Sequence, residues 1–267
     1  MPRLYCSLLS IIALCVAVVS PQPAIGEPPQ EDTAPKQRLE KMQRAIDGFQ
    51  VASPQIKSAP LLKFASAPLL RYSDQTRNLF DAGVWRLGER GRPTGLATVE
   101  FYERNNKESL GCEVASFTAS PFTLDAAGQK TWQLTGTDLT IKTLDAAPSP
   151  ATSERARLTQ MRELARRFTV HERLGEDTIE CRLMPQPIDR YADRENKIAD
   201  GAAFAFANGA NPEAGVLLET DGSKWSYGLF RLSTAAVFVE RDGKPIAEFP
   251  KVVNAALPGP YIARVLP

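Results

Sequence analysis

The sequence predicts an α+β protein formed by tandem duplication. Each copy is predicted to be one amphipathic helix followed by about five antiparallel strands, in a two-layer helix-on-sheet arrangement. Three observations predict this class: a phrase that occurs twice, an apolar stripe with helical spacing before each phrase, and two-residue alternation after it. The first copy is predicted to span residues 36–145, and the second to span residues 153–267 after a linker at 146–152.

The repeated phrase is Pro-x-x-Arg-Tyr-x-Asp. PLLRYSDQTRNLFDAG begins at Pro68, and PIDRYADRENKIADG begins at Pro187, 119 positions later. The candidate binding residues in the two phrases are Arg71, Tyr72, Asp74, Asp81, Arg190, Tyr191, Asp193 and Asp200. Aspartate accepts backbone N–H groups in turns, and arginine pairs with aspartate, so a structural anchor is favoured over a ligand site. One ligand site would not need the phrase twice.

Each copy is predicted to begin with an amphipathic helix. In the first copy the apolar stripe is formed by residues spaced at i, i+3, i+7 and i+10, namely Leu39, Met42, Ile46 and Phe49. The second copy has the same spacing in Leu158, Met161, Ala165 and Phe168. The Pro-rich stretch at 27–35 and the linker at 146–152 precede the two helices.

Alternation with a period of two then predicts half-buried antiparallel strands. The inward residues are Trp85, Leu87, Ala97, Val99 and Phe101 in the first copy and Phe204, Phe206, Val216 and Leu218 in the second. Glu100 and Glu219 fall on the outward side, as solubilising residues do. Hairpin turns are predicted around Gly128 and Gly243.

The first 26 residues have the pattern of a secretory signal peptide. Arg3 supplies the positive start, an apolar run spans residues 4–19, and small residues precede a predicted cleavage after Gly26. The apolar run is shorter than the roughly 20 residues of a membrane span, although an uncleaved anchor is the alternative. We therefore expect an exported protein, periplasmic or secreted, with no transmembrane segment after cleavage.

The charge balance bears on the kind of partner, and the cysteines bear on the redox state of the protein. Of 32 basic residues Arg3 is lost with the signal, which leaves 31 basic and 31 acidic residues in the mature chain. This balance argues against a nucleic-acid partner. Cys112 and Cys181 are the cysteines outside the signal, and either a disulfide between them or two buried free thiols fits an exported protein.

Several stretches together resemble a family of predicted exported bacterial proteins. They are RYSD followed by GRP, RLTQMRELARRF, PQPIDRYAD and NPEAGVLLE, and the resemblance covers most of the mature chain. It implies an exported protein with this domain organisation. No activity is assigned to that family, so the resemblance implies no catalytic residues.

The candidate chemistry is sparse, and no catalytic residue, metal or cofactor is predicted. His171 is the only histidine and is interpreted as a surface residue after the second helix. The second helix is rich in arginine, which indicates either a solvated face or an anionic-ligand contact; its arginines are Arg155, Arg157, Arg162, Arg166 and Arg167.

These features favour a non-enzymatic binding or structural-interaction module of the bacterial cell envelope, with an unidentified envelope or extracellular partner. One alternative is a hydrolase that uses Glu100 and Glu219 in a cleft between the copies. The other is a carrier of an apolar ligand, which would show a pocket lined by Trp85, Phe204 and Phe206.

Overall fold

The computed structural model describes residues 33–53, 62–104, 107–126 and 130–266. The predicted signal peptide, most of the 27–35 linker and the hairpin at Gly128 lie outside the described residues. The described part of the chain is 51% strand and 13% helical, with two α-helices and large curled antiparallel sheets. The predicted α+β class, a tandem repeat of one helix and about five strands, is therefore wrong.

Strands dominate both halves of the described chain. The N-terminal half, 33–145, contains α1 Ala34–Asp47, β1 Gln50–Ala52, β2 Leu70–Asp74, a short 3₁₀ helix Gln75–Arg77, β3 Leu79–Leu87, β4 Gly95–Arg104, β5 Lys107–Ser116, β6 Phe122–Asp125, β7 Trp132–Leu134 and β8 Lys142–Thr143. The C-terminal half, 146–266, contains α2 Glu154–Ala165, β9 Phe168–Leu174, β10 Asp177–Leu183, β11 Asp189–Asp193, β12 Ile198–Asn208, β13 Asn211–Thr220, β14 Trp225–Arg231, β15 Ala236–Arg241, β16 Lys244–Phe249 and β17 Tyr261–Leu266.

The helix of the N-terminal half packs on a five-stranded sheet with the order β17-β5-β4-β3-β2. Met42 and Ile46 of α1 are buried in one apolar core with Trp85 and Val99, as the helical stripe and the strand alternation predict. The three-stranded sheet β1-β6-β7 completes this core and contributes the fully buried Trp132.

The helix of the C-terminal half lies against a nine-stranded sheet. Its main path is β16-β15-β9-β10-β12-β13-β14-β8, and β11 pairs with β12. Helix α2 begins after Ser153, whose hydroxyl accepts the backbone N–H of Ala156 at 3.3 Å, as an N-cap residue does. The core under α2 contains the predicted inward residues, which include Met161, Phe204 and Val216.

A third apolar core lies between the two large sheets and is the main departure from the prediction. Val84 and Leu96 of the five-stranded sheet join Leu217 and Phe230 of the nine-stranded sheet in this core. The strand faces predicted to be solvated therefore pack against each other. Alternation marks which side chains share a face, but it does not say what covers the second face.

The two halves also exchange strands. Strand β8 of the N-terminal half pairs with β14, and strand β17 at the C-terminal end pairs with β5. Such long-range pairings leave no local pattern in the sequence, which is why a self-contained copy was the simpler expectation. The predicted hairpin at Gly243 is confirmed, because Asp242 and Gly243 have φ angles of 52° and 73° and join β15 to β16.

Within the described residues, neither α-helix has the length and apolar character needed to cross a membrane.

Candidate functional site

A pocket of about 430 Å³ lies beside α2, where the sheet passes from β9 through β10 to β12. Strand β10 forms one wall of the pocket, because it pairs with β9 through Cys181 and with β12 through Leu183. The volume falls in the range of small-molecule sites.

The base of the pocket is apolar. Phe168, Phe204 and Phe206 are almost fully buried in the core under α2, and each of them also lines the pocket. Leu183 and Met184 complete the apolar lining, and Met184 adds a flexible thioether that adapts to irregular shapes. Phe204 and Phe206 are two of the three aromatic residues named for an apolar-ligand pocket. The third, Trp85, lies in the other half, where it donates to Gln43 at 2.9 Å.

The rest of the lining is mainly basic. Arg162 and Arg166 of α2 line the pocket, and Arg182 of β10 adds a third guanidinium. Glu180 is the one carboxylate among the pocket residues. Arg166 is already paired with Glu163, so Arg162 and Arg182 are the guanidinium groups that an acidic ligand group would meet beside the apolar base.

Arg162 stands out among these arginines because one of its donors has no partner. The side chain donates from Nη2 to Gln186, whereas the buried Nε has no hydrogen-bond acceptor among the described residues. A buried unpaired donor of a cation costs free energy that an anionic acceptor would recover. Arg162 therefore has one donor that no described residue uses.

The remaining arginines of the basic helix have other roles. Arg157 binds the buried carboxylate of Asp200 and Arg167 binds the exposed carboxylate of Asp242, while Arg155 is exposed. The helix surface is therefore divided between the pocket, internal ion pairs and solvent, where the sequence predicted a single solvated or ligand-binding face.

The two candidate disulfide cysteines are free, buried thiols. Cys112 lies in the core under α1, and Cys181 lies in the core under α2, where it also lines the pocket. Burial, and next the charge of Glu213, raises the pKa of the Cys181 thiol to about 12. The thiol is therefore protonated at neutral pH and is a poor nucleophile.

The repeated Arg-Tyr-x-Asp phrase forms two helix–strand clamps. In the C-terminal clamp Asp200 accepts from Arg190 in bidentate geometry, at 3.1 and 2.8 Å, and from Arg157 of α2 at 2.8 Å. In the N-terminal clamp Asp81 accepts from Arg71 and from Arg38 of α1. Each clamp ties a helix to the strand beneath it. These candidate ligand-binding groups are therefore occupied by internal partners.

The aspartates within the phrase stabilise turns. Asp74 accepts the N–H of Thr76 at 3.0 Å, and Asp193 accepts the N–H of Asn196 at 3.1 Å. Asp193 also accepts the N–H of Arg92, from the N-terminal half, at 3.1 Å.

The tyrosines of the phrase are buried between the sheets. Tyr72 belongs to the core between the two large sheets, and Tyr191 donates to Glu219 at 2.7 Å. These tyrosines do not converge on the pocket beside α2.

Glu100 and Glu219 are buried, so their predicted outward, solvated position is wrong. Glu219 is bound by Arg92 at 2.7 and 2.6 Å and by the Tyr191 hydroxyl. Glu100 accepts from Tyr102 at 2.6 Å, and burial raises the pKa of Glu100. An apolar core fills the space between the sheets, and the hydrolase alternative loses the cleft on which it depended.

His171 follows α2, as predicted, and lies in the middle of strand β9. It is half-buried and stands opposite Phe238 in the neighbouring strand β15. It lines a separate groove with Arg173 and Glu248, on the far side of the sheet from the buried Val170.

Across residues 33–53, 62–104, 107–126 and 130–266, no three histidine, cysteine, aspartate or glutamate side chains are grouped so that they could hold a metal ion. No protein-family model matches this chain, and no curated protein matches it.

Sequence reasoning missed several residues of the pocket beside α2 and a buried ionic group that joins the two halves. Arg182 and Met184 of the pocket follow the second helix at a distance that no motif marks. Arg77, Glu172 and Glu213 meet between the sheets although they are far apart in sequence. Arg162 and Arg166 could be found because they belong to the basic helix, and Phe204 and Phe206 because they were named for an apolar pocket.

Proposed function

We propose that this protein is an exported, non-enzymatic binding module that holds an anionic amphiphile in the pocket beside α2. The acidic head of the ligand binds the guanidinium groups, and its apolar tail contacts the phenylalanine base. The proposal joins two of the functions considered from the sequence, an envelope binding module and a carrier of an apolar ligand. Export follows from the sequence pattern of residues 1–26.

The pocket offers both an apolar and an electrostatic contribution to the free energy of binding. Apolar surface gains roughly 25 cal/mol for each Å² removed from water, so an alkyl tail on Phe168, Phe204 and Phe206 is favourable. The guanidinium groups of Arg162 and Arg182 offer paired donors that match a carboxylate or a phosphate. Neither an uncharged lipid nor a small inorganic anion uses both parts of this lining.

The observation that carries the proposal is the unpartnered Nε of Arg162 in a pocket with an aromatic base. A solvated helix arginine would have its donors in water, whereas this Nε is shielded from water. If the Arg162 side chain turns toward the pocket, an acidic head group supplies the acceptor that the described residues do not provide.

The experiment compares four dodecyl compounds by isothermal titration calorimetry and by thermal shift. Dodecanoate and dodecyl phosphate carry acidic heads, dodecanol is neutral, and dodecyltrimethylammonium is a cation. We expect the two acidic compounds to bind with one site per chain and to raise the melting temperature. A clear preference between them identifies the head group as a carboxylate or a phosphate. Equal binding of dodecanol, or no binding of either acid, would contradict the proposal.

Matched variants of one helix locate the binding site. Arg162→Gln should weaken dodecanoate binding about tenfold, which is about 1.4 kcal/mol and the lower end for a charge-assisted contact. Arg155→Gln changes the same residue type on the exposed part of the helix and should leave the affinity unchanged. Equal effects of the two changes would show that the helix attracts anions only by its overall charge.

A further inference from the structure

A second unusual group of side chains connects the two halves, and none of its three members lines the pocket beside α2. Arg77, in the short 3₁₀ helix of the N-terminal half, reaches two glutamates of the C-terminal half. Its Nη1 donates to Glu213 at 2.7 Å, and its Nη2 donates to Glu172 at 3.0 Å. Glu213 is 0% exposed and Glu172 is 1% exposed, so both carboxyl groups are out of contact with water.

The hydrogen bonds of this group are incomplete if both glutamates are ionised. Glu172 Oε2 accepts from Arg77 and from Asn208 at 3.0 Å, and Glu213 Oε1 accepts from Arg77. The buried Glu213 Oε2 has no donor in hydrogen-bond geometry among the described residues, although the Ser233 hydroxyl is close enough to lower the pKa of Glu213. A buried carboxylate oxygen without a donor is among the most costly groups in a protein interior.

The charges of the group are also unbalanced. One guanidinium faces two buried carboxylates, and its Nε lies 3.4 Å from a third, Asp74. A single proton on Glu213 Oε2 would reduce the excess negative charge and would turn the unpaired oxygen into a donor toward Glu172. Burial, and next the charge of Glu172, raises the pKa of Glu213 to about 8, in agreement with this arrangement.

We infer that Glu172 and Glu213 share one proton at neutral pH, and that this proton stabilises the contact between the two halves, so that the contact weakens in alkaline medium. When the proton leaves, two like charges meet in a buried place with one arginine between them. The other ionisable groups that act on the pair or on Arg77 from the surrounding strands are Tyr72, Asp74, Glu100, Tyr102, Glu113 and Cys181.

The direction of the pH effect follows from the two states of the chain. In the unfolded chain a glutamate loses its proton near its ordinary pKa of 4.5, whereas folded Glu213 keeps its proton up to about pH 8. The stabilisation is therefore complete below about pH 4.5 and is lost as the pH rises through about 8. Unfolding at a pH between these values releases a proton from the pair.

An NMR titration of the wild-type protein tests the shared proton directly. The side-chain carboxyl carbons of glutamate are labelled with ¹³C, and the resonance of Glu213 is assigned from its loss in Glu213→Gln. We expect this resonance to change near pH 8. A change complete near pH 4.5 would overturn the inference, and this reading needs only the assignment of one signal.

Proton counting with two glutamine variants tests the link to stability. The amide of Glu213→Gln can accept from Arg77 and donate to Glu172, so it imitates the protonated acid. This variant should release one proton fewer than wild type on unfolding near neutral pH, and it should lose less stability above pH 8. The control is Glu219→Gln, because Glu219 is 3% exposed but has Arg92 as its own partner.

We expect the control to be less stable than wild type, because Arg92 loses its carboxylate partner. An unchanged count in Glu213→Gln would overturn the inference. If Glu213→Gln does not fold, Glu172→Gln supplies the amide from the opposite side of the pair. The Glu213 resonance is then assigned in the wild-type protein itself, without the variant.

Discussion

Removal of Asp200 is the change that tests the helix–strand clamps most sharply. Asp200 is 4% exposed and accepts three charge-assisted hydrogen bonds, two from Arg190 and one from Arg157. Asp200→Ala leaves both guanidinium groups without this acceptor. Arg157 keeps the carbonyls of Ala151 and Thr152, so it is not left without any partner.

The expected loss of stability is about 3 kcal/mol. Breaking a buried ion pair by removing one partner costs roughly 3–5 kcal/mol, and the lower end applies because the side chain of Arg190 is 31% exposed and therefore partly solvated. For a domain of this size, 1 kcal/mol lowers the melting temperature by roughly 2–4 °C. The melting temperature should therefore decrease by about 6–12 °C.

Urea unfolding followed by circular dichroism measures this free energy, with thermal unfolding as a second reading. Asp81→Ala in the other clamp should cost less, since its arginines are more exposed, at 24% and 35%. Asp177→Ala replaces an exposed aspartate of β10 and serves as the control. If Asp200→Ala were as stable as Asp177→Ala, within about 0.5 kcal/mol, the clamp would not stabilise the fold.

Three further predictions concern a partly buried acid, the thiols and one glycine. Burial, and next the charge of Glu100, raises the pKa of Glu113 from 4.5 to about 8, so its stabilisation is present below about pH 4.5 and is lost as the pH rises through about 8. Glu113→Gln should therefore flatten the fall of the unfolding free energy in that window by about 1.4 kcal/mol per pH unit, measured by urea unfolding. Without reductant, Cys112 and Cys181 should react slowly with a thiol reagent in the folded protein and rapidly in denaturant. If no thiol reacts in denaturant, the two cysteines form a disulfide and the prediction is wrong. Gly201→Ala should cost roughly 1–3 kcal/mol, because a Cβ there would lie 2.5 Å from the ring of Tyr191; an unchanged melting temperature would contradict this contact.

The helices and the inward faces of several strands could be predicted from the sequence, because both depend on local patterns. The stripe that contains Met42 and Met161 marks the buried face of each helix, and alternation around Trp85 and Phe204 marks the buried face of each sheet. These signals depend on residues that are close together in the chain.

The packing of the sheets against each other could not be predicted in this way. Glu100 and Glu219 looked like surface residues because charged side chains alternate with apolar ones there. Their burial depends on partners from distant strands, such as Arg92 for Glu219. The mostly β architecture follows from such long-range pairings, which local periodicity does not contain.

The candidate pocket could be predicted only in part. The basic helix indicated an anionic contact as one alternative, and Phe204 and Phe206 were named for an apolar pocket. Arg182 reaches the same pocket because β10 pairs with both β9 and β12. That double pairing is a property of the curled sheet, so it became visible only in three dimensions.

The central claim, that the pocket beside α2 binds an anionic amphiphile, is tested most directly by methionine methyl NMR with dodecanoate. Met184 lines the pocket, Met161 lies in the core under α2, and Met42 lies in the other half of the protein. We predict a saturable shift of the Met184 methyl resonance, a smaller shift for Met161 and no change for Met42. Saturation with no change at Met184, or with the largest change at Met42, would contradict the claim.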